Sequence, residues 1–417
     1  MPRPTRPTRP TRRLGARFRA FVQADAASIR QSLAALLVAS LGNLAAGLTL
    51  GAITGTIEDL PGLLVLVPAA IGMRGNIFGT LGSRLGTAIH QGTFNLSRRP
   101  DTVVGQNVLA SAVLTLSVSA ALAVLAKTVA VGFGVSSSIS VADFLVISVL
   151  GGVLSSVVVL AITLLVAASA VRFGWDMDNV SAPLVTAAGD VATLPALFLA
   201  TYLVGIDLVT PMLATVMALI AVVALVVGLR SGLPLLRAIV REAFPVLLVA
   251  GLVDVVAGVT IEARLDSFLV YPALLVLIPP FLEDAGALGG ILASRLATKL
   301  HLGVVEPTPL PGRVARRDFL LIGLYAVPLY VVLGLSVDLV SAVFGLESPG
   351  ALQLVAVSLV GGMIATACAL AIGYYGSIAT FRLGFDPDNY GIPIMTSSMD
   401  LVGALAVILA IALVGVT

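Results

Sequence analysis

Charged side chains are scarce in this chain of 417 residues, since Asp, Glu, Lys and Arg together make up only 11% of it. Soluble proteins carry roughly 25% charged residues. The chain is instead 58% hydrophobic, with a mean hydropathy of +1.08. Apolar runs of about 20 residues recur from end to end, and this length crosses a bilayer as a helix. The composition therefore excludes a soluble globular protein and predicts an all-α polytopic membrane protein.

Residues that bind soft metals are nearly absent. The chain has one cysteine, Cys368, and two histidines, His90 and His301. A disulfide within the chain and a thiolate metal cluster are therefore excluded, and a soft-metal site built from histidine and cysteine is not expected. The remaining candidates for metal ligands are carboxylates, side-chain amides and backbone carbonyls.

Arginines crowd the N-terminus, where a Pro-Thr-Arg pattern repeats. Such a segment is too polar and too rich in proline to fold. We therefore expect residues 1–25 to form a disordered basic tail. The tail would hold the N-terminus in the cytoplasm and contact anionic membrane lipid.

The sequence also repeats itself. LLVLVP at residues 63–68 returns as LLVLIP at residues 274–279, and Ser-Arg-Leu at residues 83–85 returns at residues 294–296, an offset of 295 − 84 = 211. Two copies predict two equivalent units related by a pseudo-two-fold axis, on which residues at equivalent positions can converge. In a membrane protein such an axis is the natural place for a pore or a substrate site.

Hydropathy predicts about 11 transmembrane helices. Five lie in a first repeat (residues 26–206), one is a connecting helix (residues 207–232), and five lie in a second repeat (residues 233–417). The arginine clusters between spans fall on one side, which predicts a multi-pass protein of the cell membrane with its N-terminus cytoplasmic and its C-terminus outside. The connecting helix brings the chain back inside, so the two repeats should be parallel, with their axis along the membrane normal.

Two aspartates lie at equivalent positions in the last helix of each repeat, Asp190 and Asp400. Thr186 and Thr396 precede them by four residues and share their helical face. If both faces meet the axis, the two carboxylates oppose each other, which is stable only around a cation or with a bound proton. A hydrated Mg²⁺ suits such a site. The alternative is two unrelated aspartates, each hydrogen-bonded by a neighbouring helix.

The second helix of each repeat contains proline followed by glycine, at residues 68–76 and 279–287. This pattern predicts an interruption at mid-membrane, with freed carbonyls facing protein or a wet cavity. The first copy carries Arg74, whereas the second carries Glu283 and Asp284. We predict an ion pair, serving also as a gate, between Arg74 and these acids; the alternative is a direct role of an acid in cation passage.

The first helices of the two repeats differ at one polar position, which is Asn43 in the first and Asp254 in the second. An acid at membrane depth is costly and marks a functional path. Asp254 is therefore a candidate additional metal ligand or proton acceptor, and the alternative is a hydrogen bond to a neighbouring helix.

Arg74-Gly75-Asn76, Ser83-Arg84-Leu85 and the segments 183–190 and 393–400 resemble the MgtE-type magnesium transporter superfamily, most closely its solute carrier family 41 branch. In that branch two MgtE-like transmembrane domains are fused, and the resemblance covers nearly the whole chain beyond the tail. It implies transport of a divalent cation, with Mg²⁺ as the transported ion, along the axis. It also implies that the last-helix acids hold hydrated Mg²⁺ and that the Gly-Asn motif lines the path.

The residue patterns and the resemblance together give a candidate site. The predicted metal ligands are Asp190, Asp400, Asn76, Asp254, Glu283 and Asp284, and the predicted pore-lining residues are Gly75, Gly286, Thr186, Thr396 and Asn43.

Two alternatives to a channel remain. The first is a divalent cation exchanger coupled to Na⁺ or H⁺. The second is a Mg²⁺-dependent, prenyltransferase-like membrane enzyme built on the Asp-x-Asp-Asn motifs at residues 176–179 and 386–389. The enzyme is disfavoured because lysine is lacking beside these motifs, so we expect a non-enzymatic transporter. Its expected partners are a divalent cation and membrane lipid, and no nucleic acid. An internal pseudo-dimer can complete a pore, so a functional monomer is expected.

Overall fold

The structure is a computed structural model that describes residues 26–97, 99–135, 137–173, 177–384 and 392–416. Within these ranges the regular secondary structure is entirely helical. The helices are α1 (Ala26–Ala52), α2 (Thr54–Asp59), α3 (Leu63–His90), α4 (Val103–Gly132), α5 (Val141–Phe173), α6 (Met177–Thr201), α7 (Val209–Arg230), α8 (Pro234–Glu262), α9 (Leu265–Leu269), α10 (Pro272–His301), α11 (Arg313–Phe344), α12 (Ala351–Leu383) and α13 (Ile392–Val414).

Ten helices of the described chain are long and apolar enough to cross a membrane. An eleventh, α1, has a shorter apolar stretch at Leu36–Ala52. Helices follow from the composition, because a spanning segment has no water to hydrogen-bond its backbone and must satisfy those groups internally. The prediction of an all-α polytopic membrane protein is confirmed. The basic tail at residues 1–25 lies outside the described residues.

The predicted interruption of the second helices is wrong. Both α3 and α10 run continuously through their internal prolines, which are Pro68 in α3 and Pro279 and Pro280 in α10. Proline removes one backbone donor and is tolerated in a membrane helix when neighbouring groups and local adjustments satisfy the freed carbonyl. Both helices are central, since 72% of the most apolar stretch of α3 and 78% of that of α10 are buried. Packing on every side therefore holds these helices together.

The first helix of each half crosses the second helix of the other half. Gly47 of α1 lies against the carbonyl of Val276 in α10, and Gly258 of α8 lies against the carbonyl of Val65 in α3. Both glycines and both valines are related by 211 residues (258 − 47 and 276 − 65). Recurrence of one close contact in both halves is consistent with two parallel repeats that exchange their first helices.

The connecting helix α7 lies at the edge of the bundle. Only 17% of its most apolar stretch is buried, and it packs against α4, α5 and α8. Its exposed aliphatic side chains suit contact with lipid tails. The centre of the molecule is therefore formed by α3 and α10, with α1, α6, α8 and α13 packed around them.

Candidate cation site

Asp190 of α6 is fully buried and is held by the first helix of its own half. Asn43 of α1 satisfies its hydrogen bonds in one of its two amide orientations. In that orientation Asn43 Nδ2 donates to Asp190 Oδ2 at 2.8 Å and to the Ala39 carbonyl at 3.2 Å. Asp190 Oδ1 has no hydrogen-bond partner among the described residues. One carboxylate oxygen is thus anchored, while the other remains available to a ligand.

Asp400 of α13 meets Asp254 of α8 in the second half. Both carboxyl groups lie beside Gly72 of α3, where a Cβ would be 3.0 Å from Asp254 Oδ2 and 3.4 Å from Asp400 Oδ2. The two carboxyl groups therefore lie close together, with Ser397 of α13 nearby. Exposure is 1% for Asp254 and 6% for Asp400. A methyl group at Gly72 would crowd both acids, so glycine suits this position.

The same pair of positions therefore makes contact in both halves, with different chemistry. In the first half an amide, Asn43, donates to a carboxylate, Asp190. In the second half two carboxyl groups, Asp254 and Asp400, face each other. Two like charges this close are unfavourable unless a cation or a proton is shared between them. The second half should consequently attract a cation more strongly than the first.

Asp284 of α10 adds a further buried acid, with 1% exposure. Its Oδ2 accepts a hydrogen bond of 2.8 Å from Ser40 of α1. Ser40 and Asn43 are three residues apart and share one helical face, so α1 holds both Asp284 and Asp190. One face of α1 therefore brings an acid of each half, Asp190 and Asp284, to the same region of the bundle.

The small residues of the central helices face the threonines of the last helices. A Cβ on Gly75 would lie 3.9 Å from Thr186 Cγ2, and one on Gly286 would lie 4.0 Å from Thr396 Cγ2. Thr396 also donates to Asn76 Oδ1, at 3.4 Å. The structure thus brings Asn76, a predicted metal ligand, to the last helix of the other half.

Two small cavities lie along α3. One is mainly apolar and is lined by the two acids Glu283 and Asp400 together with Val67, Pro68, Ile71, Ile278, Pro279 and Leu282. The other is more polar and is lined by Asn76, Ile77, Thr80, Arg84, Leu114, Ala243, Val246, Leu247 and Pro393. From Val67 to Arg84 the helix rises by about 26 Å, roughly the thickness of the hydrocarbon core.

The predicted ion pair between Arg74 and Glu283 or Asp284 is not present. The Arg74 side chain is fully buried on the opposite side of α3, where its Nε donates to Ser155 Oγ of α5 at 3.0 Å. Its Nη1 and Nη2 have no hydrogen-bond partner among the described residues. A Cβ on Gly189 of α6 would lie 3.4 Å from the Arg74 Cβ. The side chain therefore points into the first repeat, away from the acids of the second.

The acids do not form a pre-built metal cage. Within the described residues no group of three or more Asp, Glu, His or Cys side chains is close enough to hold one metal ion. Mg²⁺ keeps several waters and is usually bound by one or two carboxylates, so pairs of acids fit a hydrated ion better than a dehydrated one. The side chains of both Asp-x-Asp-Asn motifs lie outside the described residues.

The sequence reasoning missed Ser40 and Ser397, which lie against Asp284 and Asp254 respectively. A signal existed for Ser40, because it lies one turn before Asn43 on the same face of an otherwise apolar helix. Ser397 precedes Asp400 by three residues in the same way.

Apolar spans packed around buried acids define the class of polytopic membrane transporters of cations. The chain belongs to the MgtE family of divalent cation transporters, whose sequence profile matches residues 67–200 and 278–410. It transports divalent cations across membranes. The double match confirms the resemblance drawn from the Gly-Asn, Ser-Arg-Leu and last-helix motifs.

Curated relatives belong to the predicted branch. The chain is 25% identical to solute carrier family 41 member 3 of Rattus norvegicus over 391 residues, covering 88% of this chain and 83% of that protein. It is 24% identical to member 2 of Gallus gallus over 405 residues (89% and 68%). It is 26% identical to member 2 of Xenopus laevis over 403 residues (89% and 69%). No solved structure matches the chain.

Proposed function

We propose that this protein carries Mg²⁺ across the membrane along a path between α3 and α10, with Asp190 and Asp400 as the principal ligands of a hydrated ion. The observation that supports this most directly is the position of the acids. Asp190 of the first half and Asp284 of the second are held by one face of α1, and Asp400 lines a cavity beside α3 together with Glu283. Asp254, Glu283, Asp284 and Asn76 complete the polar lining.

Mg²⁺ is favoured by the donor set. Carboxylate, amide and hydroxyl oxygens are hard ligands, and no imidazole or thiolate accompanies them in the described part of the site. Hard divalent cations prefer such oxygens, and Mg²⁺ tolerates few protein ligands because it retains water. Thr186, Thr396, Gly75 and Gly286 then line the passage, where small side chains leave room for a hydrated ion.

The test is flux by the purified protein in liposomes. The variant Asp190→Asn/Asp400→Asn should lose most Mg²⁺ uptake, while Asp207→Asn, an exposed acid in the connection before α7, should match the unmodified protein. Circular dichroism and monodispersity of each variant establish folding. Full uptake by the folded double variant would reject the proposed ligands.

A coupled exchanger is the second candidate, favoured by the inequality of the two halves. The second half has Asp254 where the first has Asn43, and Glu283 and Asp284 have no acidic equivalents in α3. The extra acids offer a place for a second cation, Na⁺ or H⁺, to alternate with Mg²⁺. Mg²⁺ flux measured with and without imposed Na⁺ and H⁺ gradients distinguishes the exchanger from a channel. A flux that depends on neither gradient would reject the exchanger.

A further inference from the structure

The pocket around Arg74 is unlike the rest of the bundle, because it encloses a positive charge without a counter-charge. Arg74 is the one arginine or lysine in the described chain that is fully buried. Guanidinium stays protonated in proteins, and a buried charge is costly unless it is paired and hydrogen-bonded. No carboxylate lies within ion-pair distance of it in the described residues, where the ion pairs join Asp318 to Arg295 and Lys299.

Hydrogen-bond donors converge in this pocket. Arg74 Nη1 and Nη2 and Ser119 Oγ of α4 are all buried without a hydrogen-bond partner. Arg74 Nη2 and Ser119 Oγ lie beside the same point, since a Cβ on Gly152 would be 2.5 Å from each. Ser155 fixes the guanidinium by accepting from Nε. Two buried donor atoms, Nη2 and Ser119 Oγ, thus converge, and the guanidinium that supplies one of them carries a full positive charge.

The equivalent pocket of the second half is built differently. Ala285 takes the place of Arg74, Tyr330 that of Ser119 and Ala365 that of Ser155 (offsets of 211, 211 and 210). There the Tyr330 ring lies directly on Gly362, the equivalent of Gly152, and its centroid is 5.4 Å from that of the tilted Phe281 ring. One half therefore fills this space with an aromatic ring, and the other fills it with a cation and hydroxyl groups.

We propose that Arg74 and Ser119, with Ser155 orienting the guanidinium, bind one small inorganic anion of the chloride class inside the first repeat. An anion supplies the missing counter-charge and accepts from donors that otherwise stay unsatisfied. The surrounding groups come from four helices, α3 to α6, so we expect a small anion rather than a large one. This site is separate from the acidic cluster and does not depend on the transported ion.

The experiment uses the purified full chain in detergent at constant ionic strength and constant Mg²⁺. Replacing chloride by gluconate, which is too large for the pocket, should lower the melting temperature by about 3 °C, the size expected for losing a ligand present at 100 times its Kd in a chain of this length. Titrated chloride or bromide should restore it along a saturable curve. A melting temperature indifferent to chloride would overturn the proposal.

Variants locate the effect. The double variant Arg74→Ala/Ser119→Tyr introduces the residue types that the second half has at these positions, Ala285 and Tyr330. Its melting temperature should no longer depend on chloride. Ser119→Ala should retain the fold and raise the half-saturating chloride concentration several-fold, whereas Ser341→Ala, another buried hydroxyl without a hydrogen-bond partner, should leave it unchanged. Equal half-saturation in Ser119→Ala and the unmodified protein would place the anion elsewhere. The Asp190→Asn/Asp400→Asn variant should keep the response, which separates this site from the transport path.

Discussion

The carboxyl groups of Asp254 and Asp400 meet beside Gly72, at the contact that Asn43 and Asp190 make in the other half. Exchange of one amide for one acid is thus the chief difference between two otherwise equivalent contacts. It concentrates negative charge in the second half, where Glu283 also lies.

Asp254→Asn should weaken Mg²⁺ binding by making the second half resemble the first. At an effective dielectric constant near 20 two unit charges about 4 Å apart interact by about 4 kcal/mol, and each 1.4 kcal/mol is a factor of ten, so KM should rise at least about tenfold. Stability should not fall, because an amide that donates to Asp400 replaces a carboxyl that repels it. Concentration-dependent flux in liposomes measures the change. An unaltered KM in the folded variant contradicts this role of Asp254, and Asp207→Asn controls for a loss of charge elsewhere.

Gly47→Ala and Gly258→Ala should each destabilise the protein and reduce flux. A methyl group at either position would overlap a backbone carbonyl of the crossing helix, at Val276 and Val65 respectively. Backbone cannot give way as a side chain can, so we expect a cost of about 1–3 kcal/mol in each case. Thermal unfolding in detergent measures it. Gly323→Ala is the matched control, because that position in α11 faces open space; equal stability of all three variants would contradict the close crossing.

Much of this architecture could be predicted from the sequence, because its causes are local or repeated. Apolar length predicts spans, and the equal spacing of Asp190 and Asp400 marks them as related before any contact is known. Whether Pro68 interrupts its helix could not be decided from the local sequence, because it is the burial of α3 by neighbouring helices that keeps the helix continuous. The predicted partner of Arg74 was wrong for a similar reason. Aligning the two repeats places Arg74 near the positions of Glu283 and Asp284, but the side chain of Arg74 on α3 points towards Ser155.

Ser40→Ala should lower stability by removing the donor to a buried acid. Ser40 Oγ lies 2.8 Å from Asp284 Oδ2, and hydrogen bonds to charged groups contribute about 1.5–3 kcal/mol. Added Mg²⁺ should recover part of the loss by neutralising the cluster, which thermal unfolding with and without Mg²⁺ measures. Ser398→Ala is the control, since that hydroxyl bonds only to the Ile394 carbonyl of its own helix. The same melting temperature for both variants would show that Asp284 does not depend on Ser40.

Glu262 ties the end of α8 to the start of α3, and this tie can be tested against its counterpart. Gly62 N–H donates to Glu262 Oε1 at 2.7 Å, whereas at the equivalent place Ala273 N–H donates to the backbone carbonyl of Glu347 at 3.2 Å. Glu262→Ala should therefore cost about 1 kcal/mol, as for loss of a helix cap.

Glu347→Ala should cost little, because its backbone acceptor remains. Glu262→Gln keeps the acceptor oxygen and should recover most of the stability lost in Glu262→Ala, with only the charge contribution to the N-terminus of α3 missing. Melting temperatures of the three variants measured side by side decide the point. If Glu262→Ala and Glu347→Ala have the same melting temperature, the Glu262 carboxylate does not hold the two halves together at this end of the bundle.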